Sequence, residues 1–289
     1  GYYIFDRIKY GDWLQLLGGL RKSDYTESNH TTGVVSYHSK PLSYSYGAVV
    51  QPWHWASIYG TYIEGLESTP PAPLTAVNSG QQLSPSTSTQ WEGGIKIQPH
   101  DGLLLTASYF LIDRDSTYVN NANVYVKDGR ARYKGVELSA TGEVTEDFSL
   151  YASALFLSAK QVSGAPTVIT GTSISPTAVG KRIDNSAKFT GSVAGEYRLE
   201  KWVPGLAVTA GVYYVGKRAV NPLNQAFVPG YTLLDLGASY TTDSLWKEPV
   251  TFRINADNVT GKRYFSSAGG LYIAEGTPTT VKFSISTNL

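Results

Sequence analysis

Strict alternation between apolar and polar side chains is the feature that most limits what this chain can fold into. Residues 281–289 alternate without a fault, and residues 250–257 follow the same pattern. Successive side chains of a β-strand point to opposite faces, so one face carries Val, Phe, Ile and Ala while the other carries Lys, Ser, Arg, Asn and Asp. The polar face suits water and the apolar face needs lipid or a core. The pattern is typical of an antiparallel transmembrane β-barrel, in which lipid-facing and lumen-facing residues take turns.

Composition excludes several other classes of protein. Hydrophobic residues make up 42% of the 289 residues, and no stretch approaches the roughly 18 consecutive apolar residues of a membrane-spanning helix. The chain has no cysteine, which excludes disulfides and thiolate metal sites. Its net charge of +1 gives no sign of the basic surface that nucleic-acid binding requires.

Aromatic residues are abundant, with 21 Tyr, 9 Phe and 6 Trp. This content fits aromatic belts at the two faces of a membrane. It also leaves open a tyrosine-rich soluble β-sandwich. The runs 103–105 and 155–157 are apolar on both faces. They suit a buried sandwich strand, or a barrel strand that lies against an internal element filling the lumen.

Short turns and long polar stretches alternate along the chain, which predicts an orientation. In bacterial barrels the short turns are periplasmic and the long loops are extracellular. Gly, Pro or Asp between apolar runs predicts tight turns at residues 10–12, 51–54, 98–102, 145–147, 201–205 and 243–249. The predicted long loops are residues 26–40, 68–86, 116–128, 163–184, 217–230 and 260–277. The second of these is rich in Pro and Ser, which suits either a stiff lid or a mobile connector.

The segments between the turns and loops number about thirteen, counted from the alternating pattern. Single-chain bacterial barrels have an even number of strands, so an odd set predicts the rear part of a larger barrel. The chain also begins without Met, and no signal peptide precedes its first strand. We therefore expect residues 1–289 to be a partial barrel from a longer protein.

Five motifs, in the same order along the chain, resemble the TonB-dependent ferric-siderophore receptors. Residues 228–236 (VPGYTLLDL) match that family's stretch of the same sequence. The other four are similar to its ASLYASYSEGLEP, QYEVGVK, SRGVELE and VENLFDKRY stretches: residues 55–67 (WASIYGTYIEGLE), 90–96 (QWEGGIK), 132–138 (RYKGVEL) and 255–264 (NADNVTGKRY).

The resemblance implies a 22-stranded barrel around a plug, in the bacterial outer membrane. It implies an Fe(III)–siderophore as the transported ligand, no cofactor of the protein's own, and TonB as the partner that couples import to energy. Colicins or phage are further partners by analogy with the family. The plug, the TonB box and the front strands would lie outside this chain.

A siderophore receptor must recognise an organic shell, because the siderophore supplies the ligands of the iron. Such a site needs a concave surface with aromatic faces and a few placed polar groups. Arg114 is expected near the extracellular rim, where its charge suits an anionic chelate. A tyrosine near a strand end is also typical of a membrane belt. The predicted ligand-binding residues are Tyr37, His38, Arg114, Tyr118, Tyr125, Phe227, Tyr264, Phe265 and Tyr272.

No constellation of catalytic residues stands out, and we predict that the protein is not an enzyme; an outer-membrane phospholipase or protease is a remote alternative. His30 and His38 are eight residues apart without a carboxylate at metal-ligand spacing, so no metal site is predicted. Inward-facing Glu137, Arg253 and Asp257 are expected to pair with one another or with the plug, since unpaired buried charges are costly. The competing functions are a passive porin-like or adhesin-like barrel and a soluble β-sandwich binding module.

Overall fold

In the computed structural model the chain forms one large antiparallel sheet of thirteen strands. The structure describes residues 1–28, 35–164, 178–243, 248–269 and 272–287. The strands of the sheet, in the order in which they pair, are β1 (Tyr2–Tyr10), β2 (Leu14–Lys22), β5 (Leu42–Trp53), β6 (Ala56–Glu67), β7 (Ser86–Ile97), β8 (Leu103–Val119), β9 (Tyr125–Thr145), β10 (Phe148–Ser163), β11 (Phe189–Arg198), β12 (Leu206–Val215), β15 (Tyr231–Thr242), β16 (Val250–Asp257) and β19 (Thr280–Thr287).

Three small hairpins lie in the long connections, and the sequence pattern did not predict them. They pair β3 (Tyr25–Ser28) with β4 (Val35–Ser39), β13 (Arg218–Ala219) with β14 (Phe227–Val228), and β17 (Phe265–Gly269) with β18 (Tyr272–Glu275). None of the described segments is a helix long and apolar enough to cross a membrane.

Connections between neighbouring strands of the sheet alternate between short and long, as predicted. Residues 54–55 join β5 to β6, and residues 146–147 join β9 to β10. At the opposite end, residues 68–85 join β6 to β7. We call the two ends of the sheet the turn end and the loop end. Parts of the predicted loops and turns, with His30 and Leu289, lie outside the described residues: 29–34, 165–177, 244–247, 270–271 and 288–289.

The prediction of a long loop at residues 116–128 is wrong. Strand β8 continues to Val119 and β9 begins at Tyr125, so only residues 120–124 form the connection. Asn120 Oδ1 accepts hydrogen bonds from the amides of Ala122 and Val124, both at 3.0 Å, and Asn123 adopts a φ of 58°. A strand that extends beyond the bilayer has water on both faces, so it loses the alternation from which strands were predicted.

The register confirms the two-faced pattern across the whole sheet. Ile254 lies opposite Phe283 on one side and Ala238 on the other, whereas Asn255 lies opposite Lys282 and Gly237. Direct partners in an antiparallel pair share a face, so these positions define an apolar face and a polar face. The apolar face is open to the surroundings, with Phe283 65% exposed.

One row of paired residues on the apolar face shows how steeply the strands are tilted. The row begins at Tyr10 and passes through Ile95 and Leu138 before it ends at Tyr214. Tyr10 lies at the turn end of β1, but Tyr214 lies at the loop end of β12. A row that climbs from one end to the other is the stagger that tilted barrel strands require.

Two clusters of aromatic rings mark the two ends of the apolar face. Near the loop end, Tyr62 stacks 4.8 Å from Tyr46 and 4.7 Å from Trp91, and Phe156 lies 4.8 Å from Phe189. We call these rings, with Tyr214, the loop-side belt. The turn-side belt contains Tyr10, Trp13, Trp53, Trp55, Tyr197 and Trp202. Their positions at opposite ends of the apolar face agree with the aromatic belts predicted for the two interfaces of a bilayer.

The described residues contain no packed interior of the kind that a soluble sandwich needs. No large side chain among them is fully buried. A sandwich buries the inner faces of two sheets against each other, whereas this protein has one large sheet. The β-sandwich alternative is therefore wrong.

Glu137, Arg253 and Asp257 do not pair with one another, which was the first of the two pairings expected for them. Asp257 forms an ion pair with Lys282 on the neighbouring strand. Arg253 lies opposite Ser239 and Ser284, and neither it nor Glu137 forms an ion pair with a described residue. Pairing with the plug stays a prediction.

Substitution at neighbouring positions 138 and 139 tests the assignment of the faces. Leu138 lies on the apolar face between Ala107 and Ala154, and Ser139 lies on the polar face between Thr106 and Ser153. We expect Leu138→Lys to lower the free energy of unfolding by about 2–4 kcal/mol, because it places an ammonium group in hydrocarbon. Ser139→Lys is the matched control and should have little effect. Denaturant unfolding of the intact protein in lipid vesicles measures both, and equal losses would contradict the assignment.

Candidate functional site

The polar face carries a hydrogen-bonded cluster in the middle of the sheet. Tyr59 donates its hydroxyl hydrogen to Glu92 at 2.6 Å, and Gln90 Nε2 donates to the same carboxylate at 2.9 Å. Lys96 Nζ lies 5.2 Å from the centre of the Tyr59 ring. A cavity of about 490 Å³ adjoins this cluster and also contacts Leu104 and Leu155, the inward-facing members of the two runs that are apolar on both faces. The interior surface is thus polar with an apolar patch.

A second cavity, of about 330 Å³, lies at the loop end between β2, β5 and β6. Its walls include Arg21, Asp24, Tyr25, Glu64 and Glu67. Tyr25 donates a hydrogen bond of 2.7 Å to Glu27, which raises the pKa of the phenol. This part of the rim carries more acidic than basic groups.

Tyr37 and His38 lie on β4, beside this cavity. The Tyr37 ring is 6.2 Å from the ring of Tyr25. His38 Nε2 lies 2.8 Å from Asp24 Oδ1, and Lys40 Nζ lies 3.5 Å from the other oxygen of that carboxylate. The hydrogen bond from His38, with the charge of Lys40, holds the pKa of Asp24 below its usual value. The hairpin is thereby tied to the end of β2.

Arg114 lies on the polar face of β8, opposite Ser88 and Ala131. Its guanidinium forms an ion pair with Glu67 at the end of β6. Arg114 therefore reaches the rim where it was expected, but its charge is already balanced.

Tyr118 and Tyr125 lie at the tip of the β8–β9 hairpin and differ in exposure. Interaction with the Asp128 carboxylate raises the pKa of the Tyr118 phenol. Tyr125 is only 7% exposed and packs against Ala72 and Ala76. Its hydroxyl donates to Thr117 at 2.7 Å. Tyr125 thus anchors the loop and presents little surface to a ligand.

The loop of residues 68–85 is held against this hairpin by amide side chains. Asn78 Nδ2 donates to the Tyr125 carbonyl at 2.9 Å, and Asn78 Oδ1 accepts from the Tyr125 amide at 2.8 Å. Asn123 Nδ2 donates to the Thr75 carbonyl at 2.8 Å. The Pro- and Ser-rich loop is therefore a packed element of the rim.

Phe227 forms the centre of a cationic cluster on the opposite part of the rim. Arg182 and Lys217 both place their charges 5.4 Å from the centre of the Phe227 ring, which is 41% exposed. Arg182 Nη1 also donates to the Lys217 carbonyl at 3.0 Å. An exposed aromatic ring flanked by two cations can bind an anionic, partly apolar group.

Arg218, which no sequence pattern singled out, joins three of the connections at the loop end. It is 4% exposed, and its guanidinium donates to Asn185 Oδ1 at 3.1 Å, to the Ser266 carbonyl at 2.8 Å and to the Phe265 carbonyl. Its Nε has no hydrogen-bond partner. Asn185 adds a hydrogen bond of 2.9 Å from the Ala268 amide. We call these contacts the Arg218 clasp.

The last three predicted residues lie around the clasp with different surroundings. Tyr264 packs 4.3 Å from Tyr231, whose ring in turn lies 5.6 Å from the Arg218 guanidinium. Phe265 contributes its backbone carbonyl to the clasp. Tyr272, at 81% exposed, projects into the surroundings.

The predicted residues therefore fall into separate groups on the rim. Tyr37 and His38 lie beside the acidic cavity, Tyr118 and Tyr125 on the β8–β9 hairpin, and the remaining aromatic residues around Phe227 and the clasp. A signal for Asn185 exists in hindsight. Asn tolerates positive φ in tight connections, and Asn123, Asn185, Asn224 and Asn258 all adopt it.

Within the described residues, no group of three or more His, Asp or Glu side chains is arranged to hold a metal ion. The geometry offers aromatic rings, cations and hydrogen-bonding groups on a concave surface.

Residues 1–259 match the family model described as "TonB dependent receptor-like, beta-barrel". The ferrichrome receptor FcuA of Yersinia enterocolitica is 33% identical over 289 residues, covering 95% of this chain and 36% of that protein. The ferrioxamine B receptor of Salmonella typhimurium is 26% identical, covering 94% of this chain and 38% of that protein. The chain thus spans little more than a third of the length of these relatives.

Solved structures show the same fold. The ferric preacinetobactin receptor BauA from Acinetobacter baumannii superposes with a TM-score of 0.82 at 28% identity, covering 99% of this chain and 42% of that one. The siderophore receptor PiuA, also from Acinetobacter baumannii, gives a TM-score of 0.79 at 22% identity, covering 98% and 42%. The resemblance found in the sequence motifs is confirmed. The chain belongs to the TonB-dependent receptor β-barrel family of the bacterial outer membrane.

Proposed function

We propose that the protein binds an Fe(III)–siderophore at its loop end and imports it into the periplasm by TonB-coupled transport. The observation that carries the proposal is the exposed ring of Phe227 between Arg182 and Lys217, on the rim of a polar-lined barrel wall. The relatives add support, because those named above are receptors for ferrichrome, ferrioxamine B and ferric preacinetobactin.

In this proposal the protein contacts the organic shell of the chelate and leaves the coordination of iron to the siderophore. Aromatic rings such as Phe227 and Tyr272 cover apolar parts of the chelate, and Arg182 and Lys217 attract its negative charge. Affinity then comes from removing a large, rigid ligand from water and placing it against several weakly polar side chains. The residues predicted from the sequence remain candidates for these contacts, apart from the buried Tyr125, which would act only by anchoring the loop.

Import past the rim requires a wetted path along the polar face. The Tyr59–Glu92 cluster and the apolar patch at Leu104 and Leu155 would face the plug region of the whole receptor. TonB would act on that region to release the chelate inward. Colicin-like toxins or phage would use the same loops as an attachment surface.

Growth of an iron-starved, receptor-null strain that carries the intact gene tests the function. We expect rescue by at least one purified chelate from a panel that begins with ferrichrome and ferrioxamine B. Rescue should vanish in a matched strain without TonB, because the proposed import takes its energy from TonB. A passive barrel needs no energy and would still support growth. Surface expression without rescue by any chelate would defeat the siderophore proposal, and rescue independent of TonB would favour the porin-like alternative.

Removal of one aromatic ring tests the position of the binding surface. We expect Phe227→Ala to weaken binding of the rescuing chelate about threefold to tenfold, because the ring loses its apolar and cation–π contacts. Trp202→Ala removes a ring that is more exposed than Phe227 but lies at the turn end, and it is the control. Titration of the intact protein by intrinsic fluorescence measures both affinities. A larger loss for Trp202→Ala would place the ligand elsewhere.

Neutralising Glu67 tests whether the ion pair between Glu67 and Arg114 keeps the guanidinium from attracting an anionic ligand. Glu67→Gln removes the partner charge and leaves the Arg114 guanidinium free at the rim. We expect a negatively charged chelate to bind about twofold to fivefold more tightly, the range that a partly exposed ion pair is worth. A neutral chelate should bind as before. Unchanged affinity for the anionic chelate would exclude Arg114 from the binding surface.

A further inference from the structure

A row of cations crosses the apolar face just beyond the loop-side belt. Arg132 lies directly opposite Lys160 on one side and Asp113 on the other. Lys160 lies directly opposite Arg182 through an isolated bridge. The hydrogen bonds from the Gln161 amide to the Lys181 carbonyl at 3.1 Å, and from the Ile183 amide to the Ala159 carbonyl at 3.1 Å, frame that bridge. Three basic residues are therefore direct neighbours on one face.

The face on which they lie follows from the register. Residues two and four positions from Lys160 along β10 are Ser158 and Phe156, and the latter belongs to the loop-side belt. Arg132 stands in the same relation to Val136, the partner of Phe156. Side chains two residues apart share a face, so the cations continue the surface that the bilayer covers. Lys134, between Leu111 and Ser158, adds one more cation to it.

Like charges placed directly opposite each other across strands are destabilising unless an opposite charge lies nearby. Only Arg132 has such a partner here: it donates to Asp113 through Nε and Nη2, both at 2.7 Å. Lys134 and Lys160 form no ion pair with any described residue, and Arg182 rests on the ring of Phe227. Asp113, the acidic residue of the row, balances only Arg132, so positive charge is in surplus.

Its height above the hydrocarbon suits lipid headgroups. Lys160 lies four residues beyond Phe156, which at about 3.3 Å per residue and a strand tilt of about 40° is roughly 10 Å along the membrane normal. The polar layer on each side of a bilayer is about 5–8 Å thick. Lysine side chains reach back toward the interface with their stems on apolar surface. The ammonium groups of Lys134 and Lys160 can thus meet the phosphate layer.

We propose that this row, which we call the cationic band, binds the phosphate groups of an anionic lipid in the outer leaflet. The band continues the surface that the bilayer already covers, and its surplus of positive charge complements a phosphate-bearing headgroup. Lys134 and Lys160 lie on the outside of the barrel wall, apart from the ligand surface on the rim, whereas Arg182 is shared by the band and that surface. The lipid would lie against Phe156 and Phe189 with its chains and against Lys134 and Lys160 with its phosphates.

Titration of the detergent-solubilised intact protein with diphosphoryl lipid A tests the proposal. Each lysine beside an anionic lipid surface contributes about a fivefold factor in affinity, so Lys134→Gln combined with Lys160→Gln should weaken binding roughly 25-fold. The matched control combines Lys96→Gln with Lys188→Gln. It removes the same charge from positions on the polar face, since Lys96 lies opposite Thr106 and the Lys188 carbonyl accepts from the Leu157 amide. This control should bind lipid A as the unmodified protein does.

Two further arms identify the chemistry that is recognised. Lipid A stripped of its phosphates should bind the unmodified protein roughly 25-fold more weakly than diphosphoryl lipid A does. It should bind the band variant and the control variant with equal affinity. Millimolar inorganic phosphate should displace little lipid, because it lacks the acyl chains. The proposal is overturned if the band variant binds diphosphoryl lipid A as tightly as the control does, if dephosphorylated lipid binds equally well, or if inorganic phosphate displaces the lipid completely. Resistance of each variant to detergent denaturation at room temperature verifies that the sheet is intact in both variants.

Discussion

The need to pair every backbone N–H and C=O group in a medium without water is the constraint on which the rest of this structure depends. Strands meet that need only by bonding to one another in a continuous sheet, and the thirteen strands here do so in chain order. Once the backbone is fixed in that way, side chains have two destinations only. The alternation along β16 and β19, the tilt of the row from Tyr10 to Tyr214, and the two aromatic belts all follow from that division.

The same constraint explains why the architecture was predictable from sequence while the rim was not. Inside the bilayer, a shift of one residue exposes a charge to hydrocarbon. The alternation at Leu138 and Ser139 is therefore tightly constrained and can be recognised in the sequence. Beyond the bilayer both faces meet water and the penalty disappears. Strands β8 and β9 therefore extend past Asp113 and Arg132 without alternation, and the sequence pattern predicts a loop where they continue. The small hairpins at β3–β4, β13–β14 and β17–β18 escaped prediction for the same reason.

The candidate site shows a similar division. Residue type alone predicted aromatic residues in the long connections, and Phe227 and Tyr272 are exposed there. Sequence could not distinguish them from Tyr125, because burial of that ring depends on Ala72, Ala76 and the amide of Asn78, which are distant in the chain. Nor could it reveal that Arg114 is balanced by Glu67. Contacts between connections are set by the pairing of the strands that carry them, and no local sequence pattern records them.

The Arg218 clasp has a consequence for how this corner of the loop end can be recognised by another molecule. Asn185, Arg218 and Ser266 come from three separate stretches of chain, and one guanidinium holds them together. The shape they present exists only while all three are assembled. An antibody raised against a linear peptide from one stretch would meet an unfamiliar surface on the folded protein. Any binder of this corner must therefore contact residues that are far apart in the sequence, and replacing the buried Arg218 would remove the contacts that hold them together.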